Sequence, residues 1–341
     1  MRLRLAGMTA AAALLLLNAP SARAATTEFG AARGVSAAAD NSPHREGTVT
    51  RGGVTIHYLD WGGGGEPIVL VPGLGSTAHT FDEFAPLLAA QYRVISVTRR
   101  GFGQSGRPVS GYETPSLADD IRAVLDHLGL RRVTLVGHSM GGAEAVWLAV
   151  HHSERVARVV LLESYCYGCP QTAPPLAKQP AGRPPGRPSP TAADRRSVGA
   201  LRAFNARLSG AKAPEAEVAA THRVEPDGRI AGRNEAADAA SSVRSGLARS
   251  EIDRIRQPTL LILAVERGPE DAVRWIRPLV GPNRAWAQWS SDVHQSSQRA
   301  WATLFTQQQP RGLVRWVPGG AHHVYQSHPS TVASMLRAFI G

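Results

Sequence analysis

The sequence is poor in the features that mark metal, membrane and nucleic-acid proteins. Only 2 of its 341 residues are cysteine, too few for a four-thiolate zinc site or a multiply bridged scaffold. They stand together in Tyr165-Cys166-Tyr167-Gly168-Cys169-Pro170, with no second Cys/His pair at ligand spacing behind them. The apolar stretch from Leu5 to Leu17 is shorter than the roughly 20 residues that a membrane span needs. It follows Met1-Arg2-Leu3-Arg4 and precedes Ala22-Arg23-Ala24, the layout of an export signal, so cleavage is expected after Ala24 and the product is expected to be secreted or periplasmic. In an exported chain the Cys166–Cys169 pair is expected to close a small structural disulfide.

Acidic residues are outnumbered, 27 against 38 Lys and Arg, for a formal charge of +11. Loss of Arg2, Arg4 and Arg23 with the signal would leave about +8. No helix-turn-helix, zinc-finger or interleaved Arg/aromatic pattern accompanies that charge. It therefore reads as solubility and mild attraction to anionic surfaces, with neither a nucleic-acid partner nor stable membrane insertion expected. The sequence sets no oligomeric state.

What is present is a core. Hydrophobic residues make up 43% of the chain, and they recur as short β-branched runs: Pro67 to Val71, Tyr92 to Val97, Val133 to Val136, Val156 to Leu162, Pro258 to Val265 and Gly312 to Pro318. Continuous apolar runs of this length suit strands covered on both faces. Helical patterns separate them over Thr80–Ala90, Leu117–Leu128, Gly142–Val150 and, at the end, Pro329–Ile340. Ahead of them, Gly52-Gly53 joins two alternating segments as a hairpin, in which His57 is expected to be an ordinary strand histidine. Strand–helix alternation predicts an α/β fold with a mostly parallel, doubly wound sheet of about eight strands.

From Tyr165 to about Ser197 proline, arginine and glycine interrupt the alternation, and Ala200–Leu208, Ala213–Thr221 and Ala236–Ala248 look helical. The expected organisation is a signal at 1–24, a mobile lead-in at 25–46, core at 47–164, an inserted and partly helical cap at 165–255, and core again at 256–341. Trp275, Trp286, Trp289 and Trp301 are expected to pack. Gly101, Gly103 and Gly106 have dinucleotide-fingerprint spacing, but no helix starts within them, so that reading is rejected.

The chemistry centres on Gly137-His138-Ser139-Met140-Gly141-Gly142, where a strand turns sharply into a helix and a Cβ at Gly137 or Gly141 would collide with its neighbours. A serine hydroxyl becomes a nucleophile only beside a base, and the base needs an orienting carboxylate. His322 follows the last strand through a glycine-rich turn; His323 competes with it, whereas His138 points away from Ser139. The loop Pro72-Gly73-Leu74-Gly75 can aim the Leu74 N–H at developing negative charge. Glu163, at the end of a strand, shares that sheet edge.

With these segments, Arg100-Gly101-Phe102-Gly103-Gln104-Ser105 and Gly320-Ala321-His322 followed by Pro329, the chain resembles the α/β-hydrolase fold family, serine esterase-like branch, over nearly the whole span from Val54 to Ile340. The resemblance implies His322 as base, and the backbone N–H groups of Leu74 and Met140 as oxyanion donors. Proline stands at position 72, where the family usually has histidine. Glycine stands at 268, where it commonly has the acid. Some relatives take the acid from the strand after the elbow helix, which favours Glu163, with Asp271 and Glu270 as rivals. A serine at the elbow argues against the haloalkane dehalogenase and epoxide hydrolase branches, which use aspartate there. The expected activity is hydrolysis of a small carboxylic ester through an acyl-enzyme, with no metal or organic cofactor implied. The alternative is a catalytically weak ligand-binding protein on the same scaffold.

Overall fold

The run Pro67–Val71 becomes the centre of the sheet, and its side chains divide by parity. In a computed structural model that describes residues 42–169, 179–182, 186–276 and 278–341, Ile68, Val69, Leu70 and Val71 are all buried. Val69 and Val71 join one core layer, while Ile68 and Leu70 join the other. That is the two-residue period of a strand with helices on both faces. Each such side chain contributes roughly 1.5–3 kcal/mol by leaving water. The export segment 1–24 and most of the lead-in lie outside the described residues. Residues 45 and 46, expected to belong to that lead-in, instead open the first strand.

The strands are β1 (Arg45–Arg51), β2 (Val54–Gly62), β3 (Pro67–Val71), β4 (Arg93–Val97), β5 (Val133–His138), β6 (Val156–Leu162), β7 (His222–Val224), β8 (Ile230–Arg233), β9 (Thr259–Val265) and β10 (Leu313–Pro318). Eight of them form one sheet in the order β1-β2-β4-β3-β5-β6-β9-β10. β2 runs antiparallel to β1 and β4, and every other pairing is parallel. Gly52 and Gly53 carry φ of 56° and 78° at the β1–β2 turn, the backbone that a two-residue hairpin demands.

Helices α1 (Thr114–His127) and α2 (Gly141–His151) cover one face, α1 through Ile121, Val124 and Leu125 and α2 through Ala145, Leu148 and Ala149. A third long helix packs Trp301 and Phe305 onto the same face, and the terminal helix Pro329–Ile340 packs Val332 and Leu336 onto the other. Trp286 and Trp289 are buried in a separate cluster with Val273 and Ile276. β3 connects first to β4 on one side and then, through α1, to β5 on the other, so a crevice opens between the carboxyl ends of β3 and β5.

Two local expectations need correction. The expected helix Thr80–Ala90 is a 3₁₀ turn, Ala78–Phe81, and a single α-turn, Pro86–Ala89, because Pro86 has no N–H to continue an incoming helix. The cap contains helices α3 (Val198–Ser209), α4 (Glu215–Thr221) and α5 (Ala239–Ser245), but also an unexpected two-stranded sheet of β7 and β8. These strands are short and charge-rich, and they escape a search for alternating apolar residues. The long helix of the main core, α6 (Gly281–Gln308), and the terminal helix, α7 (Pro329–Ile340), complete the order. No helix among the described residues is long and apolar enough to cross a membrane.

The cap is pinned over the crevice by polar contacts. Ala236 N donates to Gly101 O at 2.8 Å and Thr114 N to Gly246 O at 3.0 Å. Arg233 donates to Gly75 O at 2.8 Å. Thr77 donates from its N–H at 3.2 Å and from its hydroxyl at 2.5 Å to the buried Glu217 carboxylate on α4. Burial pushes the Glu217 pKa up to about 7, although the Thr77 bonds oppose the shift. An acid with a raised folded pKa stabilises the fold fully below its unfolded pKa of about 4.5, and that contribution is lost as pH rises through the folded value. Glu217→Gln should therefore gain on the wild type by about 3 kcal/mol between about pH 5 and pH 8 in urea denaturation. A pH-independent difference between the two proteins would contradict this account.

Candidate active site

Among the described residues only Ser139 and Glu163 are non-glycines with positive φ, at 49° and 47°. Both stand immediately after strand ends, Ser139 after β5 and Glu163 after β6. Left-handed backbone costs an ordinary residue of order 1–3 kcal/mol and persists only where surroundings over-determine it. At Ser139 the surroundings are tight packing: a Cβ on Gly137 would lie 2.6 Å from Gly141 O and from the Gly142 Cα. A Cβ on Gly141 would strike the carbonyls of Val71 and Pro72, the latter at 2.7 Å. The Ser139 N–H donates to Leu162 O at 2.9 Å, locking the turn to the end of β6. The serine thus stands partly exposed at the start of α2.

The loop after β3 is braced from beneath. Arg99, buried, donates from Nη1 to Gly73 O at 3.1 Å and from Nη2 to Pro72 O at 2.9 Å, while Nε reaches Glu144 Oε1 at 2.7 Å. Burial raises the Glu144 pKa, and Arg99 opposes it. With the carbonyls of Pro72 and Gly73 held by the guanidinium, the N–H groups of Leu74 and Met140 meet no acceptor among the described residues. Arg99 and Glu144 were not singled out from sequence. The only signal was an Arg-Arg pair at the mouth of a glycine-rich loop, and its second member, Arg100, forks instead onto Asp120 with two bonds of 2.6 Å.

Glu163 is fully buried. Its Oε1 accepts from Ala264 N at 2.6 Å and from Gln298 Nε2 at 3.2 Å, so the carboxylate leans across from β6 to the end of β9. Its Oε2 lies 3.4 Å from His322 Nδ1. His138 Nε2 is 2.9 Å from His322 O. A carbonyl only accepts, so Nε2 carries the proton and Nδ1 is left bare against Gly73, where an added Cβ would lie 2.8 Å away. Burial first, then His323 and His322, keep His138 neutral by lowering its pKa well below the usual value. It anchors the backbone of the His322 loop. His323 is likewise held neutral, pushed down to about 3 by burial and the nearby His322.

The rival carboxylates lie elsewhere. Asp271 accepts from Arg267 N at 3.1 Å and pairs with Arg274 at 2.6 Å, and Glu270 stands beside Gly268. Neither has a bond to His322 among the described residues. An unforeseen carboxylate, Glu266, follows β9 directly, but it is taken by α6: Ser291 Oγ donates to it at 2.7 Å and His294 Nδ1 lies 2.7 Å away. Burial alone would lower the His294 pKa, yet the bond and charge of Glu266 raise it.

Tyr167 is a further unforeseen neighbour. Burial pushes its pKa up to about 12, and the Ser139 side chain opposes that shift. The Cys166–Cys169 disulfide closes the loop that carries it. Leu74, Phe102 and Met140 from the core meet Tyr167 and, from α5, Ala239 and Val243 in one apolar cluster beside the serine. A groove of about 550 Å³ between β10 and α7, lined by Leu313, Arg315, Met335 and Phe339, is remote from these residues.

Residues 66–266 match the family model described as the alpha/beta hydrolase fold, and the chain belongs to that family. It is 39% identical over 138 residues to a non-heme haloperoxidase of Rhodococcus erythropolis, covering 40% of this chain and 47% of that protein. A soluble epoxide hydrolase of Corynebacterium sp. (strain C12) is 33% identical over 111 residues, 33% of this chain and 38% of its own. A bifunctional esterase/perhydrolase of Acinetobacter calcoaceticus is 32% identical over 142 residues, 41% of this chain and 49% of its own. The chain spans about half or less of the length of these curated relatives. Among solved structures, E-2-(acetamidomethylene)succinate hydrolase superposes with a TM-score of 0.60 at 19% identity, over 87% of this chain and 99% of that one, a likeness of fold.

Gly141→Ala would force a methyl group against two backbone carbonyls that cannot move aside. It should cost about 1–3 kcal/mol of stability in denaturant titration, whereas Ser241→Ala, at an exposed position, should cost little. Equal stability of Gly141→Ala and wild type would show that the turn is not packed as described.

Proposed function

We propose that the protein is a serine hydrolase of small carboxylic esters that works through an acyl-enzyme, with Ser139 as nucleophile, His322 as base and Glu163 as orienting acid. The observation that carries this reading is the buried Glu163 carboxylate facing His322 Nδ1 at 3.4 Å beside a serine held at positive φ. In this mechanism Ser139 Oγ attacks the ester carbonyl while His322 Nε2 accepts its proton. Nδ1–H stays bonded to Glu163, which stabilises the imidazolium. The oxyanion accepts from the N–H groups of Leu74 and Met140. His322 then protonates the departing alcohol, and water repeats the sequence to release the acid. Removing one donor of such an oxyanion hole typically costs about 10²–10³ in rate.

The apolar cluster of Leu74, Phe102, Met140, Tyr167 and Val243 suits an ester with an apolar acyl or alcohol portion. A bifunctional esterase/perhydrolase among the relatives supports ester substrates. The epoxide hydrolase relative does not shift the reading, because the elbow residue here is serine. The basic-then-apolar segment at 1–24 and the Cys166–Cys169 disulfide support action outside the cytoplasm. The cap is assigned to 165–255.

Hydrolysis of p-nitrophenyl esters of rising acyl length, with fluorophosphonate labelling, tests the assignment. Ser139→Ala should abolish both. Glu163→Gln should lower kcat/KM by about 10²–10⁴, and Asp271→Asn should stay near wild type. Labelling that survives Ser139→Ala, or no labelling of folded protein, would favour the ligand-binding alternative.

A further inference from the structure

A second group of ligating side chains lies outside the candidate active site, brought together by three separate elements. Glu46 is on β1, His57 on β2 and His79 in the 3₁₀ turn Ala78–Phe81. In the hairpin register His57 pairs with Thr48, so Glu46, two residues earlier on the same face, lies diagonal to it. The possible ligand atoms of the three residues all lie within 4.8 Å of one another.

The two imidazoles are oriented from behind. His57 Nδ1 lies 3.0 Å from Thr98 Oγ1, which also accepts from Ala78 N at 3.0 Å. His79 Nδ1 lies 3.0 Å from Asp82 Oδ2. Both rings therefore turn Nε2 toward Glu46, at 3.9 Å from its Oε2 for His57 and 3.9 Å from its Oε1 for His79. Neither distance is a hydrogen bond. His57 is 1% exposed, and its Nε2 is a buried polar atom with no hydrogen-bond partner among the described residues. The Glu46 side chain is about half exposed at 49%, and its only other polar contact among those described is Gln104 Nε2 at 3.5 Å.

We propose that Glu46, His57 and His79 bind one zinc-like divalent cation through the two Nε2 atoms and the Glu46 carboxylate, with water completing the coordination on the exposed side. Two imidazole nitrogens and one carboxylate suit a late first-row ion and not calcium or magnesium, which take oxygen. Nitrogen and oxygen ligands at about 2.0–2.1 Å in a tetrahedron stand roughly 3.4 Å apart. Closing the present separations to that value, 3.9 Å from Glu46 to each imidazole and at most 4.8 Å overall, takes a swing of the Glu46 side chain and a small shift of the rings. Thr98 and Asp82 supply the partners on the far ring nitrogens that ligating histidines ordinarily have. The ion would tie the β1–β2 hairpin to the segment that follows the Pro72–Ser76 loop, next to the Thr77–Glu217 contact with the cap. Its effect would be to stiffen that region, not to take part in ester cleavage.

Full-length, tag-free protein stripped with EDTA is titrated with Zn²⁺ against a chromophoric chelator, with Co²⁺ as a spectroscopic probe and circular dichroism to confirm folding. The wild type is expected to take up one zinc per chain, melt at a higher temperature with zinc, and show visible cobalt bands. His79→Ala and the milder, half-exposed Glu46→Gln should each weaken zinc binding at least about tenfold and dim the cobalt bands. Absence of zinc binding by folded wild-type protein at micromolar metal would overturn the proposal. So would one equivalent bound equally well by wild type and folded Glu46→Gln.

Discussion

Everything at the mouth of the sheet depends on how closely β5, α2 and β6 approach one another around Ser139. The serine adopts a φ of 49°, and its N–H is spent on Leu162 O. Such a turn exists only because Gly137, Gly141 and Gly142 leave no Cβ in the gap, where Val71 and Pro72 carbonyls, Gly142 itself and the Ser164 side chain already sit. The same approach delivers the first residues of α2 to the crevice, so the Met140 N–H and the Ser139 hydroxyl are positioned by one packing event. Broadening that contact by a single methyl would displace both at once.

Around the turn, charge is buried to hold backbone in place. Arg99 and Glu144 lie almost wholly out of water, with side chains 2% and 5% exposed. Burying an ion pair is costly and seldom a net gain in stability, whereas removing one partner leaves an uncompensated charge. What this pair supplies is direction: the guanidinium holds the Pro72 and Gly73 carbonyls on its own side. Donors fixed before charge develops need no reorganisation when it does, which is how a loop of backbone amides becomes useful in catalysis. Glu217 plays a comparable part for the cap, gripping Thr77 three residues beyond Leu74.

The β-strands were legible because a continuous apolar run such as Ile68 to Val71 suits a strand covered on both faces; the division of Val69 and Val71 from Ile68 and Leu70 between two core layers shows only in the structure. The elbow was legible because glycines bracket a serine between a strand and a helix. Glu163 could be placed at the end of β6, yet not its reach to Ala264 N, since that depends on how far β6 and β9 extend side by side. Arg99 and Tyr167 were not legible as neighbours of the site, because an arginine in a loop and a tyrosine in a proline-rich segment read as surface. Nor did the sequence bring Glu46, His57 and His79 together, His57 reading as an ordinary strand histidine. The hairpin register and a 3₁₀ turn bring them together, and no local spacing announces it.

Two carboxylate–imidazole pairs stand side by side at the end of the sheet, Glu163 with His322 and Glu266 with His294. Glu266 occupies the stretch after the penultimate strand from which an acid would ordinarily be expected, but Ser291 and His294 on α6 hold it away. Glu163 reaches the vacated position by leaning over β9, and two features make that possible. Its φ of 47° takes the backbone out of the strand conformation where β6 ends. The Ala264 N–H and Gln298 amide then satisfy one carboxylate oxygen, which leaves the other for His322. A carboxylate so placed needs neither an aspartate at position 268 nor a change in sheet topology. Because the ends of β6 and β9 are adjacent in the sheet, a carboxylate on either strand could face the same histidine; here α6 holds Glu266, and Glu163 is the one that faces His322.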